Sequence, residues 1–426
     1  MPMNLPRREF LATSLLATTL LSTTAKSRAV DLPSAARRLR VAVMGLGRGL
    51  DLARAAVALP GVEVTWLCDI DDERIVRAQK ALAGSTTNVP HSTKDIRVVL
   101  DDKDVDAVFI AAPNHWHAPA TIMACAAGKH VYVEKPCSHN PWEGEMMVKA
   151  ARQHQRIVQM GNQRRSWPGV IDAMAQLKAG VIGPVRYARS WYLANRGSIG
   201  KGKVVPVPKN LDYNLWQGPA PERSYLDNVV HYNWHWRWHW GNGELGNNGI
   251  HALDLVRWGL EVDYPTRVSC TGQRYHFDDD QETPDTTVTT FDFGKKGALW
   301  DGSSCHLRAQ ESSSFVTFYG DGGSLSIDGN GGKVYDNKGK EVSKTTGEGG
   351  EKVHIANFFG AIRNGTALNS EITEGHKSTL LCHLGNIAWQ TQSVVNVNPN
   401  TGHILNNPEA QKLWKRAYRK GWEPKV

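Results

Sequence analysis

From Leu39 to about residue 160, short apolar runs alternate with amphipathic stretches, and this alternation limits the possible folds more than any other feature. The runs are "LRVAVMGLG", "VEVTWLCDID", "DVDAVFIAAP", "HVYVEKP" and "IVQMGNQ". Helix-like segments at 48–59, 71–82, 117–127 and 141–155 lie between them. Strands without internal polar alternation are buried on both faces. Strand–helix alternation of this kind predicts a doubly wound parallel sheet, an α/β domain of Rossmann type.

The first run enters Gly45-Leu46-Gly47-Arg48-Gly49-Leu50. A glycine-rich turn between strand and helix lets backbone N–H groups approach a pyrophosphate at a helix N-terminus. The third glycine comes one place early for G-x-G-x-x-G, with Leu50 in the expected position. The second run ends in Asp69, 24 residues after Gly45. A strand-end carboxylate at that spacing suits a ribose diol and repels a 2′-phosphate, which favours NAD over NADP. Arg48 or Arg74 would be the residues to accommodate a phosphate. The alternative is a doubly wound domain that has lost its cofactor.

Ligands of such sheets sit at the carboxyl ends of the strands. Two more strand ends therefore matter: "AAPNHWH" at 111–117, and Glu134-Lys135-Pro136. Taken together and in this order, the glycine turn, the strand ending in Asp, the "PNxxH"-like segment and "EKP" resemble the Gfo/Idh/MocA family of oxidoreductases. The resemblance runs through essentially all of the chain after its first thirty residues. It implies cofactor contacts from Gly45, Gly47, Arg48, Asp69, Pro113, Asn114, His117, Glu134 and Lys135. It also implies that Lys135 lies by the nicotinamide and the substrate hydroxyl. "GNQRRSWP", which contains Arg164 and Arg165, resembles the segment that links the two domains of the family, and Arg165 is assigned to the cofactor with it.

The chain has 426 residues, which predicts about two domains. After residue 160 a helix-like "PGVIDAMAQLKAG" precedes short alternating runs separated by Gly/Asp turns, such as "VRYARSWYL", "TTVTTFDF" and "SFVTFYG". These predict an α+β domain with a large, mainly antiparallel open sheet over 161–426, beside the nucleotide domain over 38–160. Two irregular stretches interrupt it. Residues 195–228 read as an ordered cover or an oligomer contact, and 336–354 as a polar, mobile insertion. A homo-oligomer formed through the open sheet is expected.

Residues 231–254, "HYNWHWRWHWGNGELGNNGIHALD", hold four of the chain's 15 tryptophans. Strict alternation over 231–240 predicts a strand with Trp234, Trp236, Trp238 and Trp240 on one face, part core and part platform for sugar rings. Three histidines share the other parity, but His231, His235 and His239 would be ~13 Å apart at each step on a strand, so no metal site is assigned. After the glycine turn, Asn247, His251 and Asp254 fall on one face of a predicted helix. The family resemblance implies a substrate-deprotonating histidine, matched by His251, and an aspartate four residues before it. Here that position is Asn247, an amide that cannot act as a base. Asn247 is therefore expected to orient the substrate or His251. Arg164, Tyr232 and the tryptophan face are expected to orient the sugar.

Net charge is +8, spread along the chain without a basic block, so nucleic acid is not an expected partner. The six cysteines form no C-x-x-C pair. Residues 1–30 begin with Arg7-Arg8 followed by Phe10-Leu11 and a weakly apolar run, which resembles a twin-arginine export signal. The expectation is an exported, periplasmic NAD(P)-dependent oxidoreductase acting on a sugar, cyclitol or glycoside hydroxyl, with no membrane insertion and a tightly held, recycled cofactor. Alternatives are a redox-neutral glycoside-cleaving or isomerising enzyme, and a non-catalytic carbohydrate-binding protein.

Overall fold

Apolar runs of four to seven residues can be buried on both faces only when helices cover a parallel sheet from both sides. In the computed structural model, which describes residues 38–426, the five runs form β1 (Leu39–Met44), β2 (Val62–Cys68), β4 (Ala107–Ile110), β5 (His130–Val133) and β6 (Val158–Met160), and a short polar edge strand, β3 (His91–Thr93), joins them without an apolar run to announce it. All are parallel, in the order β3-β2-β1-β4-β5-β6. The connections run in opposite directions from β1, and this opens a crevice at its carboxyl end. The covering helices are α1 (Gly49–Val57), α2 (Asp72–Leu82), α3 (Ile96–Asp101), α4 (Asn114–Ala126) and α5 (Pro141–Gln153). Helix α4 begins three residues before the expected 117, so Asn114 and His117 belong to its first turn. The export signal expected at 1–30 lies outside the described residues.

The second sheet has ten strands. They are β7 (Val185–Leu193), β8 (Arg267–Gln273), β9 (Thr286–Asp292), β10 (Gly297–Ser303), β11 (Val316–Gly320), β12 (Gly323–Asp328), β13 (Gly331–Asp336), β14 (Glu341–Lys344), β15 (Val395–Val397) and β16 (Ile404–Leu405). Neighbours are antiparallel except β7 and β10. In β9, Thr287, Thr289 and Phe291 face the core, and the residues between them do not. The helices of this half are α6 (Pro168–Lys178), α7 (Tyr213–Gln217), α8 (Ile250–Leu260), α9 (Glu351–Asn364), α10 (Ile372–Gln390) and α11 (Pro408–Lys412). Helices α8 and α10 cover the inner face of the sheet.

Two expectations are corrected. Residues 336–354 are not a mobile insertion. They supply β14 and open α9, whose Ile355, Phe358, Phe359 and Ile362 complete the core of the first domain. The Phe109 ring lies 5.9 Å from Phe359 and 6.0 Å from Phe358. Polar composition hides this because the apolar face begins only at Ile355. Residues 231–240 are not a strand either. Asn233–Trp236 is a 3₁₀ turn, and local bonds such as Arg237 N–H to Trp234 O (3.2 Å) and Trp240 N–H to Arg237 O (3.1 Å) satisfy the backbone. Trp234 and Trp240 bury themselves with Tyr213 and Trp216 in a separate small core. The four indoles therefore share no face.

Among the described residues, no helix is long and apolar enough to cross a membrane, and no group of His, Cys, Asp and Glu is placed to hold a metal.

Burial pulls the His130, His354 and His376 imidazoles down to about 4 and that of His383 to about 3. An unfolded histidine takes up its proton near pH 6.5. Between those values the unfolded chain binds more protons, so this stability is complete above about pH 6.5 and is lost as pH falls toward 4. Buried Asp69 and Glu143, whose pKa values are raised, act in the opposite sense and flatten the slope. Melting temperature should fall steadily between pH 7 and 4.5. A flat profile in thermal scans would contradict this.

Candidate active site

The glycine turn is built from close approaches. Gly45 has φ +85°, and a Cβ there would lie 2.5 Å from Ala111 O at the end of β4. At Gly49 a Cβ would lie 2.8 Å from Val43 Cγ1. Gly49 thus provides the tight helix–strand packing usually given by the third glycine of the motif, one residue early, and Leu50 turns into the core. Asp69 follows β2 and holds the turn, accepting Leu46 N–H at 2.6 Å and Asp71 N–H at 3.1 Å. Burial raises its pKa, and the two N–H groups and Arg74 oppose that shift.

A cavity of about 440 Å³ opens over this turn. Gly45, Gly47, Arg48, Asp69, Pro113, Asn114, His117, Glu134 and Lys135 all line it. The structure therefore brings together every expected cofactor residue except Arg165. That guanidinium is buried on Asp254, with Nε 2.9 Å from both carboxylate oxygens, and Asp254 also accepts Ser378 Oγ at 2.7 Å. This pair is a structural brace, and Asp254 does not support His251. Arg48 lines the cavity but is engaged by Glu134 at 3.2 Å and by Glu351. His117 has both ring nitrogens against backbone oxygens, Pro136 O at 2.6 Å and Ala112 O at 2.7 Å. It ties the ends of β4 and β5 together at the cavity wall.

Lys135 stands at the end of β5, and the Lys135–Pro136 peptide is cis. Its Nζ donates to the Asn247 carbonyl at 2.9 Å and to Asn247 Oδ1 at 3.2 Å. Asn247 lies in a single π turn, Leu245–Gly249, which runs into α8. Local widening of a helix in this way recurs at functional sites. The amide thus orients the lysine, where the sequence had suggested the substrate or His251. His251 is in the first turn of α8. Burial, together with the charges of Lys135, Arg164 and Arg48, pulls its pKa well below the usual value, so the ring is neutral. Burial also lowers Lys135, and the carboxylates of Glu134 and Glu244 oppose that shift.

The expected sugar-facing residues divide. Tyr232 and Trp234 line the cavity. Trp236 is buried under the Arg196 guanidinium at 4.8 Å. Trp238 packs on Trp389 on another side, with ring centroids 5.7 Å apart. Arg164 donates to Gly329 O and lies over Trp167 and Phe315. It reaches His251 only through its field. These three corrections follow from the loss of the expected strand and from the backbone acceptor that Arg164 finds in the turn after β12.

One polar array was missed. Arg196 Nε meets Glu244 at 2.9 Å, and its other nitrogens donate to the hydroxyls of Tyr232 (2.9 Å) and Tyr192 (3.2 Å). Glu244 is 6% exposed and also takes a hydrogen bond from Asn248. Arg196 lies in an aperiodic stretch 48 residues from Glu244, so no local pattern revealed the pair.

Residues 195–240 strap the nucleotide domain on two sides. On one, Asp212 N–H donates to Ile70 O (2.9 Å), Asn210 to Asp71 (2.9 Å), and His231 pairs with Asp71 (2.8 Å). On the other, His115 and Trp116 donate to Trp216 O at 2.9 and 3.0 Å. Between these anchors Leu215, Trp216, Tyr232 and His235 form the outer wall of the cavity.

The residues present fit a dinucleotide. A turn that leaves no room for a Cβ approaches the N-terminus of α1, and a carboxylate stands at the ribose position. Residues 39–162 match the description "Oxidoreductase family, NAD-binding Rossmann fold" and 186–424 match "Oxidoreductase family, C-terminal alpha/beta domain". A levoglucosan dehydrogenase of Pseudarthrobacter phenanthrenivorans is 36% identical over 103 residues, 24% of this chain and 26% of that protein. A glycosyl hydrolase family 109 protein of Saccharopolyspora erythraea is 29% identical over 161 residues, 36% of this chain and 35% of that one. The chain thus spans about a third or less of the length of these relatives. The structure of an aldose-aldose oxidoreductase from Caulobacter crescentus, complexed with glycerol, superposes with TM-score 0.66 at 19% identity, over 85% of this chain and all of that one. With both domains matched along most of its length, the chain belongs to the Gfo/Idh/MocA oxidoreductase family, and its first domain is the NAD-binding one.

Proposed function

We propose that this protein is an NAD-dependent oxidoreductase that acts on a hydroxyl of a sugar, cyclitol or glycoside and keeps its cofactor bound from one turnover to the next. The observation that carries the reading is that Lys135, which lines the cavity, is held by Asn247, four residues before a neutral His251. Neutral His251 takes the hydroxyl proton as general base. The Lys135 ammonium, oriented by two oxygens of Asn247, stabilises the negative charge that develops on the same substrate oxygen. Bound NAD supplies the hydride acceptor. The Arg196–Glu244–Tyr232 array offers donors and acceptors to the other hydroxyls. Glu244 also brings a negative charge close to Lys135 in place of the carboxylate absent at 247.

Burial and the nearby cations keep His251 neutral and so able to accept a proton, and the same ring can return that proton to a carbonyl oxygen when a second sugar reoxidises the bound cofactor. The anchored strap supports the retained cofactor, because nucleotide exchange requires several hydrogen bonds on both sides of the cavity to open. The likeness to an aldose-aldose oxidoreductase agrees with this reading. Asp69 favours NAD over NADP: Arg48 is already held by two carboxylates, and Arg74, which lines the cavity beside Gly47, has Asp69 as the carboxylate that acts on it most strongly. Export through the twin-arginine route and assembly of copies through the outer sheet face complete the proposal. Exposed Tyr187, Tyr319 and Val288 lie on that face and support it.

A second reading is redox-neutral cleavage of a glycoside after transient oxidation, and the likeness to a glycosyl hydrolase family 109 protein favours it. A non-catalytic carbohydrate-binding protein is the third reading, and it predicts sugar binding without turnover.

Protein purified through gel filtration should carry NAD(H) that heat releases, and should exchange it slowly with added NAD. Nucleotide-free protein that takes none up would refute every catalytic reading. Lys135→Ala and His251→Ala should each lower kcat by roughly 10²- to 10⁴-fold while bound NAD is kept. Full activity in either variant would remove that residue from the mechanism. Release of an aglycone from aryl glycosides without net change in nicotinamide absorbance would favour the second reading.

A further inference from the structure

The strap brings one more side chain to the nucleotide cavity that the proposed chemistry leaves unused. His235 lines that cavity beside Tyr232 and Trp234, at the 3₁₀ turn that stands where a strand was expected. The turn closes through the ring itself, with His235 Nδ1 2.6 Å from Tyr232 O. A carbonyl only accepts, so Nδ1 carries the proton, and in a neutral imidazole Nε2 is then an acceptor. Burial and the charges of Lys135 and Arg196 keep the ring neutral, with a pKa of about 3, against the pull of the Tyr232 carbonyl.

That acceptor is open and fixed in direction. Among the described residues Nε2 has no hydrogen-bond partner. The unpartnered Nδ1 atoms of His115 and His376 have almost no accessible surface, whereas Nε2 of His235 is not shut away with them. Trp234 stacks on the ring, with centroids 3.6 Å and planes 20° apart, and the Tyr232 ring lies 4.7 Å away. A ring held by a stacked indole and by its own hydrogen bond keeps its orientation before any ligand arrives.

A donor stands beside it. Tyr232 Oη accepts a hydrogen bond from Arg196 at 2.9 Å, and among the described residues the phenolic proton has no acceptor. A hydroxyl group donates one hydrogen bond and accepts others, so it matches a neighbouring acceptor and donor. An ether oxygen brings no proton for Nε2, and a missing oxygen meets neither group. The Lys135 charge acts on both His235 and His251. The two histidines therefore share the neighbourhood of the reacting oxygen with different roles: His251 takes its proton, and His235 holds another part of the same molecule.

We propose that His235 Nε2 and the Tyr232 hydroxyl together hold a second hydroxyl of the substrate, one that is not oxidised. The substrate class is then polyols with that hydroxyl free, in preference to their ethers, their deoxy analogues and simple alcohols. The proposal rests on the reading of the nucleotide cavity as the site of hydroxyl oxidation. A substrate without the second hydroxyl leaves Nε2 without a donor in a site withdrawn from water, which makes the discrimination steep.

The test is rapid mixing of the NAD-loaded protein with D-glucose, myo-inositol or levoglucosan, followed by the absorbance of the reduced nicotinamide. His235→Phe keeps a ring for Trp234 to stack on but has no acceptor, and it should raise the half-saturating concentration of the sugar that reacts fastest by roughly tenfold or more. His235→Gln, which restores an acceptor, should recover most of that loss, and both variants should keep their bound NAD. One monodeoxy analogue of that sugar, lacking a hydroxyl other than the oxidised one, should show the same loss with the unaltered protein and no further loss with His235→Phe. Unchanged half-saturation in His235→Phe, or additive losses for every analogue, would overturn the proposal. Loss of bound NAD would move His235 to the cofactor, and a fall in maximal rate alone would make it a proton acceptor; either result also overturns it. Failure of all three sugars to reduce the cofactor of the unaltered protein would instead count against the reading of the nucleotide cavity, and the proposal would fall with it.

Discussion

A lysine ammonium withdrawn from bulk water must have its charge and its three donors met by fixed groups. Lys135 meets part of that requirement across the molecule, on the carbonyl and side-chain oxygens of Asn247. The lysine ends the fifth strand of the nucleotide domain, and the asparagine opens the helix that carries His251. One contact therefore ties the end of the nucleotide domain to the turn that opens α8, and it fixes where charge can be stabilised during reaction. An aspartate at 247 would add a charge. The amide adds only dipoles, and the net negative charge is moved to Glu134 and Glu244.

The second constraint is the strap. Segments of more than a dozen residues without regular structure are functional or disordered far more often than neutral. This one is anchored at Ile70–Asp71 on one side and at His115–Trp116 on the other, and its aromatic side chains wall the cavity between those anchors. It makes a shared, retained cofactor the natural reading of a protein whose N-terminal residues resemble an export signal. In the proposed reading the protein is exported with its cofactor already loaded, and because there is no obvious pool of free nicotinamide nucleotide outside the cytoplasm, that cofactor is regenerated in place.

Much of this was legible in the sequence where the signal was local. Uninterrupted apolar runs pointed to five of the six strands of the first sheet, the polar edge strand His91–Thr93 having no such run, alternation pointed to most of the second, and Gly45, Asp69 and Lys135 lie where strand ends should put ligand-binding groups. Long-range pairing was not legible. Arg165 has the same sequence neighbourhood whether it meets a pyrophosphate or Asp254, and only the packing of α8 against α10 decides. The tryptophans at 234–240 alternate like a strand, but no neighbouring strand is there to pair with them, so the backbone closes local turns and three of the four indoles go to the core. Helix α9 was hidden by its polar lead-in, and the Arg196–Glu244 pair by the distance between its partners in the chain.

The central claim is that one retained cofactor carries hydride between two sugars. It is tested most directly by supplying the purified protein, without added nucleotide, with a sugar deuterated at the carbon to be oxidised and an unlabelled carbonyl-bearing sugar. The account predicts that deuterium appears in the reduced sugar over many more turnovers than there are protein molecules. Transfer that begins only when NAD is added in amounts matching the product would contradict it.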